Sequence, residues 1–238
     1  GNTVVLKVKD ADVSHPAVSA SYANSFNVKG SITISTQPAA AGATVTVGDS
    51  MTIAWGDAAI SSFNVVYKIG AGSESAVPGC SGIAANSCTF TIPAAMLGKT
   101  DTLNVKDADT TNHPASESGV SNSFDVKGTI SISAFTKGGS AVTAGQLLTV
   151  NDALVINWTS SSTITSYNLY YVISGTETLI NTSGALTAVN LPYSFTLPTG
   201  STANSVTLKV KDSDITNHPD TNTSTVSFNA QGTLSSIT

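Results

Sequence analysis

The sequence predicts an all-β fold of tandem β-sandwich domains, with about seven strands each and very short linkers between them. Three observations predict it. Short runs alternate apolar and polar residues as half-buried strands do, no stretch of ten or more residues keeps the apolar stripe of a helix, and the set of runs recurs after about 100 residues. A period of this length is too long for a solenoid and fits domains that each bury their own core.

The repeat is defined by a motif that occurs three times. Each copy opens with Leu-x-Val-Lys-Asp-x-Asp, continues through a His-Pro dipeptide and closes with Ser-Phe-Asn/Asp-x-x-Gly. The opening leucine and closing glycine of the three copies are Leu6 and Gly30, Leu103 and Gly128, and Leu208 and Gly232. From this spacing we expect complete domains at 30–127 and 128–231. Residues 1–29 then hold the C-terminal strands of a preceding unit, and residues 232–238 the first strand of a following unit.

Alternation also assigns the inward face of each strand. In the first motif, Val4, Leu6 and Val8 point to one side and the intervening lysines to the other. Alternating runs that end in Trp55 and Trp158 open the next part of each repeat, and an aromatic strand follows each of them. We therefore assign both tryptophans to sandwich cores.

The composition excludes two classes of partner. Acidic residues outnumber basic ones by 15 to 10, the formal net charge is −5, and every basic residue is lysine. Without arginine and with an acidic balance, the chain is a poor match for nucleic acid or an anionic membrane surface. No run approaches 18 apolar residues, so we expect no membrane insertion. Asn-x-Ser/Thr tripeptides begin at Asn157, Asn181 and Asn222, but a chain rich in serine and threonine produces such matches by chance.

The two cysteines, Cys80 and Cys88, lie eight positions apart. Two thiols with no histidine nearby are too few for a structural zinc site. A disulfide that closes a hairpin or loop is the favoured interpretation, and it implies an oxidising compartment. The alternative is a pair of reduced, partly buried thiols.

The sharpest local signal is the Asp-x-Asp pair at the end of the first strand of each motif. Two carboxylates one residue apart point to the same side of an extended chain and can share a hard cation such as Ca²⁺. The alternative is that the first aspartate accepts backbone N–H bonds and caps the loop. The calcium candidates are Asp10, Asp12, Asp107, Asp109, Asp212 and Asp214.

Histidine offers little for catalysis. The three histidines, His15, His113 and His218, all belong to the repeated His-Pro dipeptide, which favours a structural role in a loop over a general base. No metalloprotease helix motif, phosphate-cradling loop or nucleophile elbow is present. We expect no enzymatic activity, no catalytic residues and no cofactor.

The order of the motifs resembles a known family. An Ile-x-Ile strand precedes residues 48–55, and after an aromatic strand come Phe90-Thr-Ile-Pro, Val105-Lys-Asp and Ser123-Phe-Asp-Val. Residues 149–158 open a second copy of the same order. The chain resembles the bacterial Ig-like repeats (immunoglobulin or fibronectin III-like β-sandwiches) of large cell-surface and secreted proteins. The chain lacks the inter-sheet cysteine pair and the tyrosine corner that antibody domains have. The resemblance implies tandem Ig-like domains for scaffolding or adhesion.

These observations favour a structural segment of an extracellular stalk, filament or adhesin-type protein at the cell surface. The expected partners are neighbouring copies or domains of the same protein, with surface glycans as a further class. Because Lys29-Gly30 and Lys127-Gly128 leave almost no slack at the joints, we expect a semi-stiff rod. Two alternatives remain: a glycan- or protein-binding module that uses the loop at 175–191, and an accessory region of a secreted enzyme.

Overall fold

The predicted all-β class is confirmed. The structure is a computed structural model that describes residues 3–12, 14, 18–58, 60–111, 118–161, 163–219, 222–223 and 225–233. Within these residues the regular structure is β-strand, apart from three single-turn 3₁₀ helices. They are η1 (Ala94–Met96), η2 (Ala188–Asn190) and η3 (Thr199–Ser201).

The first two strands form a hairpin. β1 (Lys7–Lys9) and β2 (Ser19–Ser21) pair antiparallel, with Val8 opposite Ala20. A bridge between Val4 and Phe26 extends the pairing beyond the two strands. The side chains of both strands are exposed.

Two sheets build the first sandwich. One has the strand order β3-β5-β8, and the other has the order β4-β11-β9-β6-β7, with β10 beside β9. The strands are β3 (Ser31–Thr36), β4 (Thr44–Thr46), β5 (Ser50–Ala58), β6 (Phe63–Ile69), β7 (Glu74–Ala76), β8 (Ser87–Thr91), β9 (Gly98–Asp107), β10 (Gly119–Val120) and β11 (Phe124–Lys127). β4 and β11 run parallel, with Val45 opposite Val126. β6 and β9 run antiparallel, with Val65 opposite Val105.

The second sandwich repeats this arrangement. One sheet has the order β13-β12-β15-β19, with β21 beside β12, and the other has the order β14-β22-β20-β16-β17, with β18 beside β16. The strands are β12 (Thr129–Lys137), β13 (Ser140–Ala141), β14 (Leu147–Thr149), β15 (Ala153–Ser160), β16 (Ser166–Ile173), β17 (Thr176–Leu179), β18 (Leu186–Thr187), β19 (Tyr193–Thr196), β20 (Ala203–Asp212), β21 (Asn222–Thr223) and β22 (Thr225–Gln231). β14 and β22 again run parallel, with Leu148 opposite Ala230.

Each core is organised around a tryptophan, as the alternation predicted. Trp55 is buried and meets Phe63 edge-to-face, with 5.2 Å between ring centroids. Trp158 meets Tyr167 in the same way at 5.3 Å. Edge-to-face packing suits the charge distribution of aromatic rings and stabilises a pair beyond its buried area. The aromatic residue at the start of β6, Phe63, and the one near the start of β16, Tyr167, therefore fix the tryptophans of the two cores.

A closing glycine of the motif is a site of close backbone approach. A Cβ on Gly128 would lie 2.5 Å from Ile164 Cδ1, and one on Gly30 would lie 2.6 Å from Ile60 Cγ1. Both isoleucines are buried. The glycine is thus required by packing at the start of each sandwich, because any larger residue would occupy the space of the isoleucine.

The chain divides into two compact units. One comprises Gly1–Ala43, Ser50–Thr91 and Thr100–Phe124, and the other comprises Thr44–Asp49, Ile92–Lys99 and Asp125–Thr238. The domain limits expected from the repeat spacing stay a prediction.

Candidate functional site

The end of strand β20 places a carboxylate inside the protein. Alternation turns Leu208 and Val210 fully into the core, and Asp212, two positions further, continues the same inward phase and is buried. Asp107 is likewise buried at the end of β9. A buried carboxylate is destabilising unless hydrogen bonds and an opposite charge compensate for its lost hydration.

Both oxygens of Asp212 have partners. Oδ1 accepts a hydrogen bond from the backbone N–H of Asp214 at 2.9 Å. Oδ2 lies 2.7 Å from Nδ1 of His218, and because an ionised carboxylate only accepts, Nδ1 is the donor. The His-Pro histidine therefore folds back onto the strand end from six residues away. Both groups are used to tie the loop, as the structural interpretation of the histidine predicted.

The same backbone contact occurs in the other two copies of the motif. The N–H of Asp12 donates to Asp10 Oδ1 at 2.9 Å, and the N–H of Asp109 donates to Asp107 Oδ1 at 2.9 Å. The capping alternative is thus the arrangement seen at all three pairs. His15 and His113 lie outside the described residues.

The second aspartate of a pair also accepts hydrogen bonds from the loop. The hydroxyl of Ser14 donates to Asp12, and this bond, with the Ser14 N–H, lowers the pKa of the Asp12 carboxyl. The side chain and N–H of Asn217 act in the same way on Asp214 and lower the pKa of its carboxyl. Each carboxylate is stabilised in its charged form by its own loop.

Within the described residues, no group of three or more His, Cys, Asp or Glu side chains is placed to hold a metal ion. Calcium binding by the Asp-x-Asp pairs stays a prediction. The six candidate residues are Asp10, Asp12, Asp107, Asp109, Asp212 and Asp214.

The cysteines organise a loop of the first sandwich. Cys80 and Cys88 are joined by a disulfide, the interpretation favoured from their spacing, and both are buried. Cys88 lies on β8, opposite Ile53 of β5. The carbonyl of Cys80 accepts from the N–H of Val65 on β6 at 2.8 Å. Since β8 and β6 belong to different sheets, the disulfide ties a strand of one sheet to the loop that covers the other.

The second sandwich uses a buried asparagine at the corresponding place, which the sequence analysis missed as a structural residue. Asn181 accepts from the N–H of Leu169 on β16 at 2.7 Å and donates to Gly184 O at 2.7 Å and to Asn168 Oδ1 at 3.2 Å. Leu169 occupies the position of Val65 in the first sandwich. Both the oxygen and the nitrogen of the Asn181 side chain are therefore engaged in hydrogen bonds within the sandwich. Its only sequence signal was the absence of the cysteine pair from the second repeat.

An ion-pair cluster joins the segment 175–191 to strand β20 on the second sandwich. Glu177 on β17 lies 2.9 Å from Lys209 Nζ and 2.8 Å from Lys211 Nζ, both on β20. Burial alone would raise the pKa of Glu177, but the hydrogen bonds from both lysines outweigh it and lower the pKa. In the first sandwich, Glu74 on β7 pairs with Lys106 on β9 in the same manner.

The strand order defines the class of protein. In each sandwich, one layer contains the strand that opens the repeat, the tryptophan strand and the strand on its far side: β3, β5 and β8 in the first sandwich, and β12, β15 and β19 in the second. The aromatic strand, β6 or β16, lies in the other layer beside the first strand of the closing motif, β9 or β20. This two-layer arrangement is largely antiparallel, with a parallel pair at one sheet edge of each sandwich (β4 with β11, and β14 with β22), and it is that of the immunoglobulin-like and fibronectin III-like β-sandwich. The chain therefore contains Ig-like β-sandwiches.

Comparisons with known proteins add only distant structural likenesses. No protein-family model matches the chain, and no curated protein matches it. Fibronectin(III)-like modules of Clostridium thermocellum CbhA share 15% identity, covering 84% of this chain and 94% of that chain, with a TM-score of 0.27. Murine CEACAM1b shares 10% identity, covering 85% and 100%, with a TM-score of 0.29. The tandem Ig repeats of Dlar share 9% identity, covering 85% and 99%, with a TM-score of 0.28.

Among the described residues, no helix combines the length and the apolar character that crossing a bilayer requires.

Proposed function

We propose that this chain is a structural, non-catalytic repeat segment of an extracellular stalk, filament or adhesin-type surface protein. The observation that carries the proposal is the parallel pairing of an early strand with the last strand in both sandwiches, β4 with β11 and β14 with β22. Because the two strands of such a pair run parallel, the chain enters the early strand at one end of the pair and leaves the last strand at the opposite end. Tension along the chain would therefore slide the two strands past each other and load their hydrogen bonds together.

The hydrogen bonds at this pair are repeated in detail. In the first sandwich, Gly42 N–H donates to Ser123 O at 2.8 Å and Val47 N–H donates to Lys127 O at 2.9 Å. The matching donors of the second sandwich are Gly145, which bonds Ser227 O at 3.2 Å, and Val150, which bonds Gln231 O at 2.9 Å. The same backbone hydrogen bonds beside the parallel pair in both sandwiches suit a protein that transmits force through a string of domains.

Two further features support the proposal. The groups that could carry chemistry, Asp212 and His218, bond to each other and to the loop backbone, so they serve the fold. A buried disulfide between Cys80 and Cys88 suits an oxidising, extracellular location.

Single-molecule stretching of the whole chain from its two ends tests the proposal. We expect two main unfolding events, each releasing about 35 nm, since a domain of about 100 residues extends by roughly 3.6 Å per residue. The disulfide locks the chain between Cys80 and Cys88, so reduction adds about 2 nm to one event and leaves the other unchanged. Unfolding without a resolved force peak would contradict a mechanical role.

A proline substitution identifies the pair that bears the load. Val47→Pro removes one donor of the β4–β11 pair and is expected to lower the unfolding force of the disulfide-containing domain alone. Val150→Pro is the matched variant and is expected to lower only the force of the other domain. If neither variant changes its own domain's force, the parallel pairs do not carry the load.

A second candidate function is binding of a glycan or protein through residues 175–191. Val189, on the one-turn helix η2 of this segment, is 91% exposed and is the residue of the segment chosen for the test. Val189→Ser on a glycan array and in a pull-down is the direct test, since it leaves the buried Asn181 of the same segment intact. The accessory-region alternative, in which a catalytic domain is carried elsewhere in the protein, is tested by the gene sequence around this segment.

A further inference from the structure

A cavity opens in the second sandwich where two neighbouring strands of one sheet stop pairing. The last antiparallel pair between β16 and β20 is Val172 opposite Thr207. Beside it lies a cavity of about 460 Å³. The cavity is lined by residues 172–175, at the end of β16 and in the turn after it, and by Ala203, Ser205 and Thr207 of β20. Its volume falls in the range of small-molecule sites, about 300–1,000 Å³.

The first sandwich is closed at the corresponding place. There the equivalent strands, β6 and β9, stay paired up to Ile69, and the N–H of Gly70 then donates to the carbonyl of Thr100 at 3.2 Å. Ser174 and Ser205 occupy these two positions in the second repeat. Within the described residues, no backbone hydrogen bond joins these two serines. The opening is therefore a property of the second sandwich alone and not of the repeat.

A tight turn explains why the two strands separate. Ile173, the last residue of β16, pairs with Thr176 of β17, so the turn between them consists of Ser174 and Gly175. Both turn residues have positive φ, 50° and 84°, as the two-residue type I′ hairpin requires. In the first sandwich, four residues (70–73) separate β6 from β7. Because the shorter turn leads the chain to β17 at once, Ser174 does not continue the pairing with β20.

The lining of the cavity combines hydroxyl groups with apolar surface. Ser174, Ser205 and Thr207 supply the hydroxyls, each of which both donates and accepts hydrogen bonds. The two serines are exposed, so their hydroxyls can exchange water for a ligand. Val172 and Ile173 are half-buried, and Ile173 also packs against the core of the second sandwich. None of these described lining residues is charged.

We infer that this cavity binds one neutral sugar unit of a glycan. A sugar ring carries hydroxyls that donate and accept together with an apolar surface of C–H groups, which are the two properties of the lining. A phosphate, sulfate or carboxylate would lose hydration there without meeting an opposite charge. Lys209, two positions beyond Thr207, is already paired with Glu177 at 2.9 Å. The inference rests on the second candidate function, glycan binding through residues 175–191, and names its ligand class and its site.

Titration of the whole isotope-labelled chain, followed by NMR, tests the inference. The probes are the methyl glycosides of glucose, galactose, mannose and N-acetylglucosamine, each added separately. We expect at least one of them to shift the amide signals of Ser174, Gly175 and Ser205 saturably. The expected Kd is about 1 mM, which is ordinary for a ligand of this size. The amides of Gly70 and Thr100 are the internal control and should not shift, because the strands are closed there. Inorganic phosphate should cause no saturable shift at either place.

Three variants locate the binding site. Ser205→Leu fills the cavity with an apolar side chain and removes a hydroxyl, so binding should weaken at least about tenfold. Ser174→Gly removes a hydroxyl at a backbone conformation that glycine adopts readily, so the fold is kept and binding should weaken about two- to tenfold. Thr225→Ala is the matched control, because this exposed hydroxyl of β22 lies in the same sheet but not in the cavity lining.

Several results would overturn the inference. They are the absence of a saturable shift with all four glycosides, an equal shift with inorganic phosphate, and unchanged binding in both Ser205→Leu and Ser174→Gly. A glycan-array signal that survives Ser205→Leu and is lost in Val189→Ser would also overturn it, while the second candidate function would stand. The site and the function on which it rests can therefore fail separately.

Discussion

The closing glycine of the motif offers a quantitative test of packing. In Gly128→Ala the new methyl would lie 2.5 Å from Cδ1 of Ile164, and the buried isoleucine has little room to move. Overpacking of this kind costs about 1–3 kcal/mol. Against it stands a gain of about 0.4–1 kcal/mol, because alanine reduces the conformational entropy of the unfolded chain. We expect the free energy of unfolding to fall by about 1–2 kcal/mol. In a domain of this size, each kcal/mol lowers the Tm by about 4–8 °C.

The two equivalent glycines differ in a way that sharpens the test. At Gly128 the shortest contact is to Cδ1 of Ile164, so Ile164→Val, which removes that atom, should restore most of the loss. At Gly30 the new methyl would also lie 2.9 Å from the carbonyl oxygen of Ala58, which no side-chain truncation relieves. Ile60→Val should therefore rescue Gly30→Ala only in part.

The third glycine of the series is the control. A Cβ on Gly232 meets nothing within 4 Å, so Gly232→Ala should leave stability unchanged or slightly raised. Urea unfolding followed by tryptophan fluorescence measures all the variants, and a double-mutant cycle gives the coupling between Gly128 and Ile164. Equal losses at Gly128 and Gly232, or a coupling near zero, would refute the packing explanation.

Three further predictions concern the loops of the second sandwich. His218→Ala leaves Oδ2 of the buried Asp212 without its donor and should cost about 1–3 kcal/mol of unfolding free energy in urea, and an unchanged stability would show that the pair does not hold the loop. Asn181→Ala removes the acceptor of the Leu169 N–H, so exchange of that amide should accelerate while the first sandwich keeps its protection, and uniform acceleration would contradict a local role. The lowered pKa of Glu177 means that its charged form stabilises the fold above about pH 4.5 and that this stabilisation is lost as the pH falls through the lowered pKa. Glu177→Gln should flatten the pH dependence of stability in this acid range, and an unaltered curve would exclude the residue as a source.

Alternation and repetition were enough to predict the inward faces of the main strands in the two sandwiches and both tryptophan cores. In the first motif, Leu6 and Val8 of the expected inward face are exposed. Trp55 and Trp158 are buried because each continues the phase of its strand, which is a property of consecutive residues. Alternation along β20 also turns the Asp212 side chain inward. The capping role of the first aspartate followed from the tendency of aspartate to accept a hydrogen bond from the backbone N–H two residues later.

The contacts made by loops could not be predicted in the same way. Asn181 reaches the N–H of Leu169 across twelve positions, and nothing in its neighbourhood distinguishes it from the many other asparagines of the chain. The partnership of His218 with Asp212 was equally hidden, because it depends on how the loop folds back onto the end of β20.

By itself, the sequence determined the all-β class, the repeat and the identity of the core, because side-chain alternation along a strand is set by neighbouring residues. Only the tertiary structure decided which groups complete one another: the disulfide in one sandwich and the buried Asn181 in the other, and the isoleucine that excludes a side chain at Gly128. These depend on how loops and sheets meet in space, where distance along the chain no longer predicts contact.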